Sequence, residues 1–494
     1  MTVHVVGGGL AGLAAALALA RAGRAVALHE ASPLLGGRCR ALPDGTDNGT
    51  HALIAANRAA LRFLDAIGAA DGWVEPEPEG LPVLDLADGT ARRIALSPAA
   101  WRDPARRPPG LSARAVLALA RLALPLRRDR PVAEAMAAHP TLHRALVEPL
   151  VVAALNTPSA EASSRVLGAV LRRLGAPGAA RLLVARHGLG PDLVAPARAA
   201  LERAGATVRT GVRLRGLSLA GGRVTALDFG TEAVPLGADD AVVLALPPWS
   251  AARLLPDLPV PTRYAPILNL HFAREAPGTP VRFVGLLGGL AQWVLVRPSG
   301  VSVTVSAADE SIDAESETLA ARAWDEIRAA ARAFALAGEW PEAPPPCRAV
   351  KERRATPRHI AGATPPTPPR RPLANLALAG DWTLPALPAT IEAAIRSGEA
   401  AARALRDQGP AAAALPRLPL RASVARRCAR KQGAGTNAWR RKSARPSGWT
   451  GSAPWSPARA RASAAPPPSR WPRPARRWCS PPVPPRSWTP WRRS

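Results

Sequence analysis

Cysteine is scarce in this chain of 494 residues: Cys39, Cys347, Cys428 and Cys479 stand far apart and form no CxxC pair. That spacing suggests neither a disulfide framework nor a zinc site, so no metal is expected, and it fits a reducing compartment. Aromatic residues make up only 4%, with five Phe and a single Tyr, Tyr264. No clean run of about 20 apolar residues occurs, so no spanning helix is expected. The first strand starts at once, so no leader segment is expected. The expected location is cytoplasmic, with peripheral contact to the inner face of a membrane left open. Acid is absent from residues 408–494, which hold 19 of the 65 Lys and Arg. The net charge of +28 is therefore largely a property of that tail; residues 1–407 carry +9, and no nucleic-acid partner is expected for them.

The tail also holds seven of the 14 Trp but no Ile, Phe or Tyr. Proline clusters and unbalanced charge predict disorder over 408–494. Basic residues interleaved with Trp could bind nucleic acid or an anionic membrane. Arg, Pro, Ala, Ser and Trp are also what out-of-frame translation of GC-rich DNA over-produces, so a frameshift product is the reading that fits this composition. For the rest, 47% hydrophobic content suffices for the buried cores of two or three domains.

What is present begins at once. The apolar run Val3 to Val6 reads as a buried parallel strand, followed by Gly7-x-Gly9-x-x-Gly12 and an alanine-rich helix from Leu13 to Ala22. Gly7 permits the tight turn, Gly9 lets backbone N–H groups approach a pyrophosphate, and Gly12 lets the helix lie close on the strand. A second strand, Ala25 to His29, ends at Glu30, placed to accept hydrogen bonds from ribose hydroxyls. This pattern predicts dinucleotide binding without choosing between NAD and FAD. Far along the chain, Leu376 to Ala379 is a strand ending in Gly380-Asp381, and a helix follows Thr390-Ile391. Ala241 to Leu246 is another buried strand. Alternation in Leu268, Leu270, Phe272 and in Val301, Val303, Val305 predicts an antiparallel sheet. Ser112 is placed to cap a basic amphipathic helix from Ala113 to Leu126, which could pack on the core or lie in a membrane interface.

The run from His4 to Arg38, with Gly36-Gly37-Arg38 directly after the acid-terminated strand, resembles the flavoprotein superfamily of amine oxidases and phytoene desaturases. Asp47-Asn48-Gly49-Thr50-His51, Asn156-Thr157-Pro158, Gly380-Asp381-Trp382-Thr383 and Leu387-Pro388-Ala389-Thr390-Ile391-Glu392 are similar to one branch, the hydroxysqualene dehydroxylases. The resemblance covers residues 1 to 407 and is thin between 75 and 145. Thr50, Asn57, Ala386 and Ala393 stand where the branch usually has Gln, Tyr, Gly and Gly.

This resemblance implies an α/β protein: a Rossmann-type FAD-binding domain with an inserted α+β substrate domain. FAD-binding segments are expected at 1–75, 191–255 and 351–407, a mainly helical cap at 76–190, and an antiparallel substrate sheet at 256–350. FAD is then the cofactor. Gly7, Gly9, Gly12, Glu30, Gly37 and Arg38 would follow it, Val212 would meet the adenine through its backbone, and Gly49 would allow close backbone approach to the ring. Asp381 after Gly380 would contact the ribityl and pyrophosphate region, and the helix starting at Thr390 and Ile391 would aim its positive end at ring O2. Lys351 is either a cation beside the flavin or a surface lysine.

The implied reaction is reductive removal of the hydroxyl of hydroxysqualene, an isoprenoid lipid, to give squalene for hopanoid synthesis. His51 or Asp47 would give or relay the proton; the electron donor is not named by the sequence. A desaturase or amine oxidase would share the scaffold, although one tyrosine makes an aromatic cage for an amine hard to build. A non-catalytic prenyl-lipid-binding protein is the other alternative, against which the full glycine, Glu30 and Gly380-Asp381 set argues.

Overall fold

The computed structural model describes residues 1–125 and 128–406. The predicted disorder of 408–494, and the end of the 113–126 helix, lie outside the described residues.

Five strands form a parallel sheet in the order Leu376–Leu378, Ala241–Leu244, Thr2–Val6, Ala25–His29, Thr207–Arg209. The central strand is buried on both faces, as its uninterrupted apolar sequence requires, with Val5 between Val243 and Leu28. Helix Leu10–Ala20 carries only Leu, Ala and Gly, and is buried almost all round because it lies between the sheet and helix Ile391–Arg406. It begins at Leu10, directly after the last turn residue, rather than at Leu13, because Gly9 serves as the N-cap.

Small residues let these layers close. A Cβ on Gly12 would lie 1.8 Å from the Gly7 carbonyl oxygen, and one on Gly398 would lie 2.1 Å from the carbonyl oxygen of Ala11. The first and last helices therefore touch backbone to backbone.

The second layer is a seven-stranded sheet, ordered Cys347–Pro357, Tyr264–Phe272, Gly300–Ser306, Trp293–Arg297, Arg282–Leu287, Leu81–Asp85, Thr90–Ile94. The alternating residues face one side in register, Leu268 opposite Val305, Leu270 opposite Val303 and Phe272 opposite Val301. They pack on Trp324 and Ile327 of helix Ser316–Ala333. This sheet is larger than the 256–350 segment expected. Leu81–Asp85 joins it by parallel pairing with Arg282–Leu287, so the hairpin 81–94 belongs to the sheet and not to the helical cap. Strand Cys347–Pro357 runs across the expected boundary at 351, because its ladder with Tyr264–Phe272 extends to Pro357.

The helical cap has its own core, built from helices Ala113–Ala123, Glu148–Leu155 and Ser164–Leu174. Ser112 caps the first of these, accepting from the Ala115 N–H at 3.2 Å. That helix stops at Ala123, where the Arg172 guanidinium takes up the free carbonyl at 2.7 Å. Among the described residues no helix is long and apolar enough to cross a membrane.

Replacing Gly398 by alanine should force the two helices apart. The expected cost is about 1–3 kcal/mol, the usual size for overpacking a close contact, read as a lower denaturant midpoint at unchanged m-value.

Candidate active site

The glycine turn holds its shape through Gly7, whose φ of +110° places it where a side chain would meet the Ala245 carbonyl. Its N–H donates to the His29 carbonyl at 2.8 Å, tying the turn to the second strand. Gly36 donates to the Gly8 carbonyl at 2.8 Å, so the Gly36-Gly37-Arg38 stretch lies against the turn. A Cβ on Gly9, in contrast, would meet nothing nearer than the Gly37 Cα at 3.8 Å. The space in front of Gly9 is open to the cavity that it lines.

Glu30 is aimed by two backbone donors, Gly8 N–H at 2.6 Å and Ser32 N–H at 2.7 Å, and its carboxylate stands on the cavity wall. An ionised carboxylate accepts about four hydrogen bonds, so acceptor sites remain for ribose hydroxyls. The Val212 N–H is taken by the Glu30 carbonyl at 2.9 Å, and Val212 lines the cavity. Arg38 reaches across the molecule to Asp381, Nη2 to Oδ2 at 2.6 Å, and its Nη1 donates to the Ala355 carbonyl at 2.7 Å. The Asp381 charge, acting against burial, holds the Arg38 guanidinium's pKa above its ordinary value. Thr390 caps the last helix by accepting from Ala393 N–H at 3.3 Å, and Thr390, Ile391 and Ala394 all line the cavity. The helix thus turns its positive end to that space.

His51 and Asp47, four residues apart, part company. His51 lines the cavity, with Nδ1 3.0 Å from the Gly49 carbonyl oxygen. Burial pulls its pKa down, but the neighbouring Cys39 sulfur, the Gly49 carbonyl and the Asp47 charge together outweigh burial and raise it to about 9. Asp47 is buried off the cavity wall. Its Oδ1 accepts from the Leu189 N–H at 2.7 Å and its Oδ2 from Arg297 Nη1 at 3.0 Å. Asp47 thus bears on His51 only as a charge and as an anchor of the loop. Gly49 has no room for a side chain, since a Cβ would lie 2.9 Å from Asn269 Nδ2. Lys351 lies away from the cavity, its ammonium on the Ala314 carbonyl, because the strand register turns it to the exposed edge.

The structure adds Cys39 and His143 as groups on the cavity wall, and gives Glu392 and Asn156, named above only within motifs, a structural part. Cys39 lines the cavity beside His51. Glu392 accepts from Ala59 and Ala60 N–H groups at 2.9 and 3.0 Å, so the last helix caps helix Arg58–Ile67 across the domain. His143 Nε2 stands 2.8 Å from Ser159 Oγ and 3.5 Å from Glu148 Oε2, on a turn of π-helix that resets the helical register. Asn156, left-handed at φ 47°, ends its helix and donates to Thr356 Oγ1 at 2.9 Å while accepting from the Ala307 N–H. It both terminates the helix and stitches the cap to the sheet behind the cavity.

The cavity measures about 1710 Å³ and is lined both by the glycine turn and His51 and by the apolar side chains of Leu146, Leu150, Val170, Phe283 and Trp293. Single-ligand pockets usually hold about 300–1,000 Å³. The volume has room for a dinucleotide and a long hydrocarbon together. Among the described residues no cluster of three or more His, Cys, Asp or Glu could hold a metal ion.

The profile of the flavin containing amine oxidoreductase family matches residues 10–406. This chain belongs to that family, and it is an FAD-dependent oxidoreductase. Among similar proteins is a hydroxysqualene dehydroxylase of Rhodopseudomonas palustris, 42% identical over 418 residues, covering 81% of this chain and 97% of the relative. One of Sinorhizobium fredii is 38% identical with the same coverage. In fold the chain is similar to a putrescine oxidase double mutant, with a TM-score of 0.60 at 17% identity over 83% of this chain and all of the other. It is also similar to the cyclohexylamine oxidase of Brevibacterium oxydans, with a TM-score of 0.58 at 16% identity over 82% of this chain and 98% of the other. The open cradle at Gly9, the aimed Glu30 carboxylate and the helix end at Thr390 fit FAD.

Glu30→Ala should weaken FAD binding roughly ten- to a hundred-fold, the range for hydrogen bonds to a charged acceptor. Titration of apoprotein with FAD, followed by flavin fluorescence, measures it.

Proposed function

We propose that this flavoprotein reductively removes the hydroxyl group of hydroxysqualene to give squalene. The observation that carries the reading is the continuity of the dinucleotide groove with a large apolar chamber in one cavity that His51 also lines. The relatives named for that activity, at 42% and 38% identity over nearly their whole length, support it.

Reduced FAD, when bound, supplies the hydride. The chain's own residues supply the rest. His51 holds a proton for the departing hydroxyl, so that water rather than hydroxide leaves, and the substrate carbon gains hydrogen in exchange for oxygen. Leu146, Leu150 and Phe283 exclude bulk water, which would otherwise capture a developing cation. Gly49, held against Asn269, and the Arg38–Asp381 pair fix the two sides of the groove on which the reaction is aligned.

Amine oxidation is disfavoured by a specific contact. Trp249 and Tyr264 meet edge to face at 5.3 Å on the cavity wall, and the Arg354 guanidinium lies 5.4 Å from the Trp249 ring. A substrate ammonium would find that aromatic face already shared with a fixed positive charge.

Purified protein with chemically reduced FAD should convert hydroxysqualene to squalene, and absence of squalene would overturn the proposal. If His51 is the donor, His51→Phe should lower kcat by about 10²–10⁴-fold with FAD binding retained. The donor is present below a pKa of about 9 and lost above it. Turnover of the wild-type protein should therefore hold through neutral pH and fall as pH rises through about 9, a limb absent in His51→Phe.

A further inference from the structure

The helix Ala113–Ala123 is amphipathic in an unusual direction. Ala115 and Leu122 are buried against the cap, yet Val116, Leu117 and Leu124 are 44%, 50% and 61% exposed. These are half of the large hydrophobic side chains that stand exposed among the described residues. A few isolated apolar side chains on a surface need no explanation, but three within nine positions form a patch.

Spacing orders the patch. Arg114, Leu117, Arg121 and Leu124 follow one another at intervals of three, four and three residues, so they share one stripe with arginines and leucines alternating. Arg114 and Arg121 are exposed and, among the described residues, neither is in an ion pair. From Pro104 to Leu124 the sequence contains Arg106, Arg107, Arg114 and Arg121 and no acid. Arg128 is exposed just beyond.

The same helix borders the cavity. Val116 and Ala120 are open to solvent and also line the chamber, with Leu119 and Ala123 further in. A residue on the wall that also faces solvent marks a mouth. The partner helix Ser164–Leu174 brings Leu171 and Leu174 to the same chamber, and packs closely because Gly168 meets the Leu122 carbonyl.

We propose that helix Ala113–Ala123 is a docking surface for an anionic lipid bilayer, through which a long apolar substrate passes directly into the chamber. Leu117 and Leu124 enter the boundary between head groups and acyl chains, Arg114 and Arg121 meet the lipid phosphates, and Val116 with Ala120 opens the chamber to the membrane. The apolar residues call for hydrocarbon, the unpaired arginines call for anions, and a bilayer offers both in one plane. The use made of the surface rests on the lipid substrate proposed above; the docking itself does not.

The experiment uses the full chain loaded with FAD, and vesicles of phosphatidylcholine with or without phosphatidylglycerol. Co-sedimentation with the anionic vesicles is expected, and Leu117→Asp with Leu124→Asp should lower the partition coefficient by about ten-fold or more. Arg114→Gln with Arg121→Gln should lower it roughly five-fold per arginine on anionic vesicles and leave binding to neutral vesicles unchanged. Retained flavin absorbance shows that each variant is folded. Unchanged partition in both double variants would overturn the proposal and assign binding to the basic residues 408–494. A dimer in the absence of vesicles that Leu117→Asp with Leu124→Asp dissociates would overturn it in favour of a second copy of this chain. The partition measurement needs no turnover, so its failure is separate from failure of the dehydroxylation reading. Where turnover is found, the leucine variant should lose rate on vesicle-borne substrate and keep it on detergent-dispersed substrate.

Discussion

The contact on which the site depends joins residues 343 positions apart: the Arg38 guanidinium on the Asp381 carboxylate. Asp381 is buried, and a buried carboxylate without a partner would be strongly unfavourable. Arg38, half exposed on the cavity side, supplies the counter-charge and spends a second N–H on the Ala355 carbonyl. One side chain thus fixes the Gly36-Gly37 stretch, the end of the long edge strand and the start of the last segment relative to each other. The Gly398 contact with Ala11 then sets how near the first and last helices come. Neither contact alone makes the groove. The ion pair sets alignment, and the missing side chains set distance.

The parts legible in the sequence are those whose chemistry is local. The glycine turn and the terminal Glu30 declare themselves because tight turns and close backbone approach admit few residue types, and the structure places both on the cavity wall. The alternation in 265–306 likewise specified a sheet face, since a strand's period is indifferent to what pairs with it. What could not be read locally was which distant strand pairs with which. The hairpin 81–94 joins the large sheet only through a parallel pairing with residues some two hundred positions later. Asp47 and His51 show the same limit at the level of a single loop. Arg297 and the Leu189 N–H take Asp47 inward, and nothing in the string around Asp47 names either partner. Lys351 carried the right charge, but the register of its strand turned it outward.

The cavity divides by polarity in a way that composition conceals. Around the glycine turn, Glu30 and Arg38, the walls are backbone N–H groups, one helix end and paired charges, each suited to a phosphate or a hydroxyl. Elsewhere the walls are leucine, valine and aromatic side chains. The cap supplies most of that apolar half, and Asn156 holds the cap to the sheet with three hydrogen bonds. A chain whose aromatic content is only 4% builds its hydrocarbon chamber mostly from aliphatic residues, with Phe283 and Trp293 stacked on each other in the wall.

The direction of its pKa shift singles out one histidine among five in the interior; His4 is lowered by burial. His29, His271 and His359 are all depressed to about 4, in each case chiefly because burial disfavours the imidazolium. His51 suffers the same penalty and is nevertheless raised to about 9. The difference lies in what stands beside each ring. For His271 the pull of Asp47 is opposed by Arg297, the very residue that pairs with that carboxylate. For His359 the Asp381 charge raises the pKa, but not enough to offset burial. His51 alone combines the Cys39 sulfur, the Gly49 carbonyl and a contribution from Asp47, three favourable neighbours on a loop of thirteen residues from Cys39 to His51. Burial by itself would have lowered His51 like the others; its neighbours on the loop raise it instead.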